Sequence, residues 1–169
     1  MNTTEIIANL QAGQIVTVPT ETVEGYAVAL NSEPGIRSLM QLKSRDFDSG
    51  KIFTLVPESK SALSKYALIP TAAEPLIRQY FPGELTLVLP KNPSFQHFYF
   101  DHYHTIGLRL PDHPLFPEIL KHVGPLLLTS ANPRGGTPRS ITGHLPSTIV
   151  DFTTDSPHII RQGNLKITL

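Results

Sequence analysis

Apolar positions along this chain repeat in two ways, near every 3.6 residues in some stretches and as short continuous runs in others. Residues 4–12 bring Ile6, Ile7 and Leu10 to one side of a short helix, with Gly13 where a C-cap belongs. The run 14–18 predicts a strand stopped by Pro19, and 26–30 is a second apolar segment. Ile36, Leu39, Met40 and Leu42 then mark a helix leading into Lys43-Ser44-Arg45. Residues 52–56 predict another strand. Ser59 is placed to cap a helix through Tyr66, and Thr71 to Glu74 has the capping-box spacing for a further one. Phe81-Pro82-Gly83 turns the chain into a strand at 85–89. A loop is expected over 91–104 and a strand over 106–110. Asp112 is placed to cap a helix carrying Leu115, Ile119 and Leu120. Residues 126–128 predict the next strand, a Gly/Pro-rich loop covers 133–138, and 148–152 and Ile159-Ile160 end the pattern as β-rich pieces. Strands interleaved with short helices predict an α/β (α+β) fold with a mixed sheet. With no repeat, low-complexity tract or linker, 1–169 is expected to form a single domain.

Composition narrows the function. Fourteen basic residues balance fourteen acidic ones, so no overall field draws the chain to nucleic acid or membrane. The absence of cysteine excludes a disulfide scaffold, a thiolate zinc site and a cysteine nucleophile, and is compatible with a cytoplasmic protein. No apolar run is long enough to span a bilayer, and the N-terminus has no secretory pattern, so no membrane partner is expected.

Two polar motifs stand at the ends of predicted elements. Lys43-Ser44-Arg45 puts two cations at a helix end, and Thr129-Ser130-Ala131-Asn132 puts a hydroxyl and a carboxamide two residues apart where a buried strand surfaces. Two cations with neutral donors suit a phosphorylated or carboxylated ligand. Lys43 and Arg45 also fit a second description, as solvated cations favoured by the helix macrodipole. Thr20-Glu21-Thr22 lies at a strand end, where α/β sheets present side chains to ligands; its threonines equally suit a turn in which hydroxyls bond the backbone. Arg109 interrupts an apolar strand, so it faces solvent, pairs with an acid or receives an anion. Gly50-Lys51 is not a Walker A loop, since Arg45 stands where its first glycine belongs and Ile52 where Ser/Thr is required. The stretch from His97 to His104 is rich in ligand-type side chains without metal-site spacing, which favours packed aromatics in a polar loop. No serine has a nucleophile-elbow context.

Taken in order, PTETV, K-x-R, FPGELTLVLP, T-x-GLRLPDHP, PLLLTSAN, PSTIVD and IIRQG resemble the YrdC-like threonylcarbamoyl-AMP synthases over about residues 3–163. The resemblance implies a twisted sheet around a deep cavity. It also implies an enzyme that joins L-threonine, bicarbonate or CO2, and ATP into threonylcarbamoyl-adenylate with release of pyrophosphate. A downstream complex then transfers the threonylcarbamoyl group to tRNA. Lys43 and Arg45 would hold phosphates and the carboxylated amine. Thr20, Arg109, Ser130 and Ser147 would face threonine, and Arg109 would pair with its carboxylate. Thr105, Asn132, Ser140 and Arg161 would face the nucleotide. Mg2+ would arrive with ATP.

Three departures qualify the match. Glu24 stands where the family usually has an aromatic ring, and Asp46 follows K-x-R where proline is usual. Only fourteen residues separate Asn132 from Ser147, where the family typically places a helix and a strand, so one cavity wall is expected to open. The chain ends soon after Gly163, so the short, one-domain form is expected. The alternatives are a non-catalytic nucleotide- or double-stranded-RNA-binding relative, against which net charge zero speaks mildly, and a carbamoyl-adenylate domain of hydrogenase maturation, whose extra modules are absent from this sequence.

Overall fold

The computed structural model describes residues 1–132, 136 and 143–169. Five α-helices are present among them: α1 (Thr3–Gln11), α2 (Glu33–Leu42), α3 (Leu63–Tyr66), α4 (Glu74–Tyr80) and α5 (Leu115–Val123). Eight strands form one sheet: β1 (Val16–Val18), β2 (Gly25–Ala29), β3 (Thr54–Val56), β4 (Leu85–Pro90), β5 (Thr105–Leu108), β6 (Leu126–Ser130), β7 (Thr148–Asp151) and β8 (His158–Arg161). Their order is β1-β2-β6-β3-β5-β4-β7-β8; the β3/β5 and β4/β7 pairs are parallel and the rest antiparallel. The sheet is mixed, as the interleaved pattern requires.

Strand alternation sorts the core. In β6, Leu127 faces the larger cluster, with Val28, Leu55, Leu87 and Leu108 beneath α2, α3 and the buried rings of Tyr99 and Phe100. Leu126 and Leu128 face the other way, with Val16, Val18, Ala27 and Val56, and α1 and α5 cover them through Leu10, Phe116 and Ile119. A strand covered on both sides reads as a continuous apolar run, which is why Leu126-Leu127-Leu128 shows no alternation in sequence. One face of the sheet is covered along its central strands, while Thr17 of β1 and most of β8 stay exposed at the edges. The other is covered only at the α1/α5 end.

Local signals explain most element boundaries. Asn2 caps α1 in a reciprocal box with Glu5, and Ser32 caps α2 through the Gly35 amide. Three expected caps fail. Ser59 makes no capping bond, and a 3-10 turn at Lys60–Ala62 precedes α3. Pro70 rather than Thr71 precedes the next helical stretch, where Thr71–Ala73 is again a 3-10 turn leading into α4. Pro114, not Asp112, precedes α5. In each case a side-chain cap gives way to a tightened first turn or a proline with preset φ. Strand β5 stops at Leu108, so Arg109 lies just past its end, although the Arg109 amide still bonds the Leu55 carbonyl at 3.2 Å. The 133–138 loop lies outside the described residues apart from Gly136.

Candidate functional site

The bare part of the sheet face is a cleft of about 190 Å3. Its floor is Thr54 of β3, Thr86 of β4 and Leu128 of β6; Thr20, Glu24, Ser130, Ser147, Arg45, Arg109 and Arg161 stand around it. Gly107, on the same face of β5, keeps this floor low: a Cβ there would come no closer than 3.9 Å to Thr54. A second pocket of about 150 Å3 adjoins the cleft, lined by Lys43, Ser44, Arg45, Ser49, Lys51, Ser130 and Asn132. Arg45 and Ser130 line both. The two motifs that stood about ninety residues apart in sequence are therefore neighbours.

Helix α2 delivers the cations. After its C-cap Lys43, the Ser44 amide bonds the Gln41 carbonyl at 3.0 Å and the Arg45 amide bonds Met40 at 2.9 Å. This is the Schellman pattern, with Ser44 at φ 47° in the left-handed region usually given to glycine. The turn sends Lys43 inward, where it is 4% exposed. Its ammonium donates to the main-chain carbonyls of Ser130 at 3.0 Å and Asn132 at 2.6 Å. Burial pushes the Lys43 ammonium below its ordinary pKa, and the nearby Arg45 adds like-charge repulsion. Arg45 lies over the Phe53 ring, 4.9 Å from its centroid. Burial lowers the Arg45 pKa as well, opposed by Tyr99 and Tyr103.

On the opposite wall, Arg109 is 6% exposed and donates to Glu21 at 2.9 Å and to the Thr22 hydroxyl at 2.8 Å. Arg161 reaches in from the rim and donates to the Ser147 carbonyl at 2.9 and 2.8 Å. Burial, then repulsion from Arg109, holds the Arg161 pKa below its ordinary value. The Ser147 and Thr86 hydroxyls are 2.9 Å apart.

Not every expected residue occupies an open contact position. Thr20 lines the cleft, but its hydroxyl donates to the Val23 carbonyl at 2.7 Å and accepts from the Thr22 and Val23 amides. It builds the turn, as the backbone-bonding description of this motif holds. Thr105 starts β5 on the face shared with Gly107 and Arg109 but lines neither pocket; it stands four positions before Arg109, roughly 13 Å away along the strand direction. Ser140 and most of the short segment between Asn132 and Ser147 lie outside the described residues. Asn132 lines the smaller pocket, and the Ser130 hydroxyl donates to its side chain. Glu24 lines the cleft and forms no hydrogen bond or ion pair through its carboxylate with any described residue. Thr54 and Thr86 were not singled out by sequence. The available signal was one hydroxyl inside each otherwise apolar strand, on the period-2 face that also carries Arg109. The aromatic-histidine stretch packs as stacked and tilted rings, with Phe53 and Tyr99 centroids 5.5 Å apart. No three His, Asp or Glu side chains among the described residues are grouped to hold a metal.

The fold and cleft define an α/β protein that draws cations and hydroxyls together over an uncovered patch of mixed sheet. The chain belongs to the Sua5/YciO/YrdC family: the family model, described as Telomere recombination, matches residues 8–142. The threonylcarbamoyl-AMP synthase of Vibrio vulnificus is 33% identical over 140 residues, covering 80% of this chain and 74% of that protein. The synthase of Stenotrophomonas maltophilia is 31% identical over 136 residues, covering 78% and 72%. The structure of P. abyssi Sua5 complexed with L-threonine superposes with a TM-score of 0.83 at 25% identity, over 96% of this chain and 54% of that one. The present chain thus spans about half of Sua5. E. coli YciO shares the fold, with a TM-score of 0.78 at 21% identity over 96% of this chain and 89% of its own. No helix among the described residues is long and apolar enough to cross a membrane.

Proposed function

We propose that this protein is a threonylcarbamoyl-AMP synthase, a nucleotidyl-transferring enzyme that uses L-threonine, bicarbonate or CO2, and ATP. The observation that carries this reading is the convergence of Arg45, Arg109 and Arg161 with neutral hydroxyls on one bare sheet face. Threonine carbamate has an oxygen that attacks the α-phosphorus of ATP; the bond from that phosphorus to the bridging oxygen breaks, and pyrophosphate leaves. Such a reaction needs alignment and charge neutralisation rather than a protein nucleophile. Arg109 has donors on Nη1 beyond those engaged by Glu21, Thr22 and Gly83, and these take the threonine carboxylate. Ser147 and Ser130 flank the amino acid, Arg161 and Asn132 the nucleotide, and Arg45 lies between. Mg2+ would enter with the nucleotide phosphates, and among the described residues Glu24 is the one carboxylate residue lining the cleft. The product is passed to a complex that modifies tRNA, in the cytoplasm.

The Glu24 carboxylate, without a partner among the described residues, favours one competing reading, a non-catalytic binder of nucleotide or double-stranded RNA. ATP–pyrophosphate exchange separates the two. A synthase exchanges label only when threonine and bicarbonate are both present. ATP binding without that exchange, in the same preparation, defeats the synthase reading.

A further inference from the structure

Of the cations around the two pockets, three are tied down by polar bonds: Lys43 to the Ser130 and Asn132 carbonyls, Arg109 to Glu21 and Thr22, and Arg161 to the Ser147 carbonyl. Arg45 is held differently. Its guanidinium makes no hydrogen bond or ion pair with any described residue and lies 4.9 Å from the centroid of the Phe53 ring. A ring face positions a guanidinium without occupying its N–H donors or neutralising its charge. The donors of Arg45 therefore remain available to an anion, on the wall that the two pockets share.

The support beneath Phe53 comes from the aromatic stretch between β4 and β5, to which the cleft chemistry gives no role. Tyr99 is 1% exposed, and its ring stacks on Phe53 at 5.5 Å and 13°. Its phenol oxygen accepts from the Phe53 amide at 2.9 Å, one residue before β3 brings Thr54 to the cleft floor. Phe100 meets the Tyr99 ring edge-on at 5.0 Å and completes its clamp. The same stretch also grips the chain that follows Arg45. Ser44 at φ 47° and Gly50 at φ 64°, both left-handed, bracket that segment, and Phe47 within it stacks on His102 at 3.8 Å. Asp46, where a proline would stiffen the chain, has φ −115°, far from the roughly −65° that a proline ring imposes. Ring packing, not a fixed φ, sets the path here.

We propose that Tyr99 is a positioning residue for Arg45: through the Phe53 amide and ring it holds the guanidinium at the shared wall, with its donors free for an anionic substrate. The proposal takes its ligand from the synthase reading above, while the support belongs to the aromatic residues of this chain.

A double-mutant cycle read by calorimetry on the whole protein tests this, with ATP and L-threonine as probes. Phe53→Leu takes away the ring face and keeps an apolar core residue. Tyr99→Phe keeps the ring and removes only the acceptor of the Phe53 amide. Phe53→Leu is expected to weaken ATP about fivefold and Tyr99→Phe about twofold, with threonine unchanged. In an Arg45→Ala background neither substitution lowers ATP affinity further, because the group they position is gone. A merely structural role gives the opposite: equal losses for both ligands, or losses that add to that of Arg45→Ala. Either result, or unchanged ATP binding in both single variants, overturns the assignment. Tyr99→Phe carries the same comparison where Phe53→Leu fails to fold. The exchange assay keeps the two ideas apart. Intact threonine-dependent exchange with an unchanged KM for ATP in both variants removes the positioning role and leaves the synthase. ATP binding that depends on Phe53 and Tyr99 only while Arg45 is present, without exchange in the wild type, removes the synthase and leaves the positioning role.

Discussion

Arg109 Nη2 lies 2.9 Å from Glu21 Oε1, and the two side chains are only 7% and 17% exposed. The pair ties the turn after β1 to the end of β5, across elements 88 residues apart in sequence. The other Glu21 oxygen is buried without a partner among the described residues. Removing the arginine would leave a largely desolvated carboxylate uncompensated, which typically costs about 3–5 kcal/mol.

Arg109→Ala is therefore expected to do two things at once: lower stability by several kcal/mol, on the scale of about 3, and weaken threonine more than ATP. The double variant Arg109→Ala/Glu21→Gln separates them. Neutralising the orphaned acid should recover much of the stability in chemical denaturation and none of the threonine affinity in calorimetry. Recovery of threonine binding in the double variant would show that Arg109 acts only on the fold.

Lys43 yields a different prediction, because its ammonium is directed at backbone rather than into open space. It donates to Ser130 and Asn132 carbonyls and so holds the exit of β6 against the end of α2. Lys43→Met keeps the aliphatic stem but leaves these acceptors without a charged donor, a loss of about 1.5–3 kcal/mol. Lower affinity for both ATP and threonine should accompany it, since Ser130 lines both pockets. Full stability in Lys43→Met with loss of ATP binding alone would reverse the assignment, making Lys43 a direct phosphate ligand.

How much of this could be read beforehand depends on the kind of signal. Strand β6 announced itself as an apolar run because both of its faces are buried, and α2 through Ile36, Leu39 and Met40 on one face. Lys43, Arg45, Ser130 and Asn132 were legible as ligand-type groups at element ends, and the fold does bring them around one pocket. Sequence could not show that Lys43 faces carbonyls, since that depends on the left-handed Ser44 and on β6 ending beside α2. Nor could it pair Arg109 with Glu21, whose contact arises from sheet order, a property of long-range pairing. Lys51 was visible only as part of a failed motif. Its place emerges from two local φ values and a neighbouring strand.

A pH prediction follows from Glu58, away from the cleft. Its carboxylate accepts from Lys65 and from the Tyr66 hydroxyl, both on α3. Burial pushes the Glu58 pKa up, but these bonds outweigh it and leave the group below the ordinary 4.5. The folded protein then binds fewer protons here than the unfolded chain, so this contribution is complete above pH 4.5 and disappears as pH falls through the lower folded value. Glu58→Gln should destabilise the protein by about 1 kcal/mol at neutral pH. It should also flatten the loss of stability below about pH 4.5 relative to wild type. Parallel acid limbs in urea denaturation would rule out this contribution.

Glu24 supplies the sharpest test of the proposed activity. Glu24 lines the cleft, and its carboxylate has no cation bound to it among the described residues. At about 4 Å and an effective dielectric near 20, a carboxylate opposes a phosphate by about 4 kcal/mol. A divalent cation between them reverses the sign, because a hard ion accepts carboxylate and phosphate oxygens together. Glu24→Gln and Glu24→Tyr should therefore raise the affinity for ATP in the absence of Mg2+ and raise it little, or lower it, once Mg2+ saturates the nucleotide. A synthase working on magnesium-bound ATP then keeps its threonine-dependent exchange with wild-type protein and gains nothing from the substitution. If both variants bind magnesium-bound ATP about tenfold more tightly or better, the acid opposes the working form of the nucleotide, and the non-catalytic reading takes the place of the synthase.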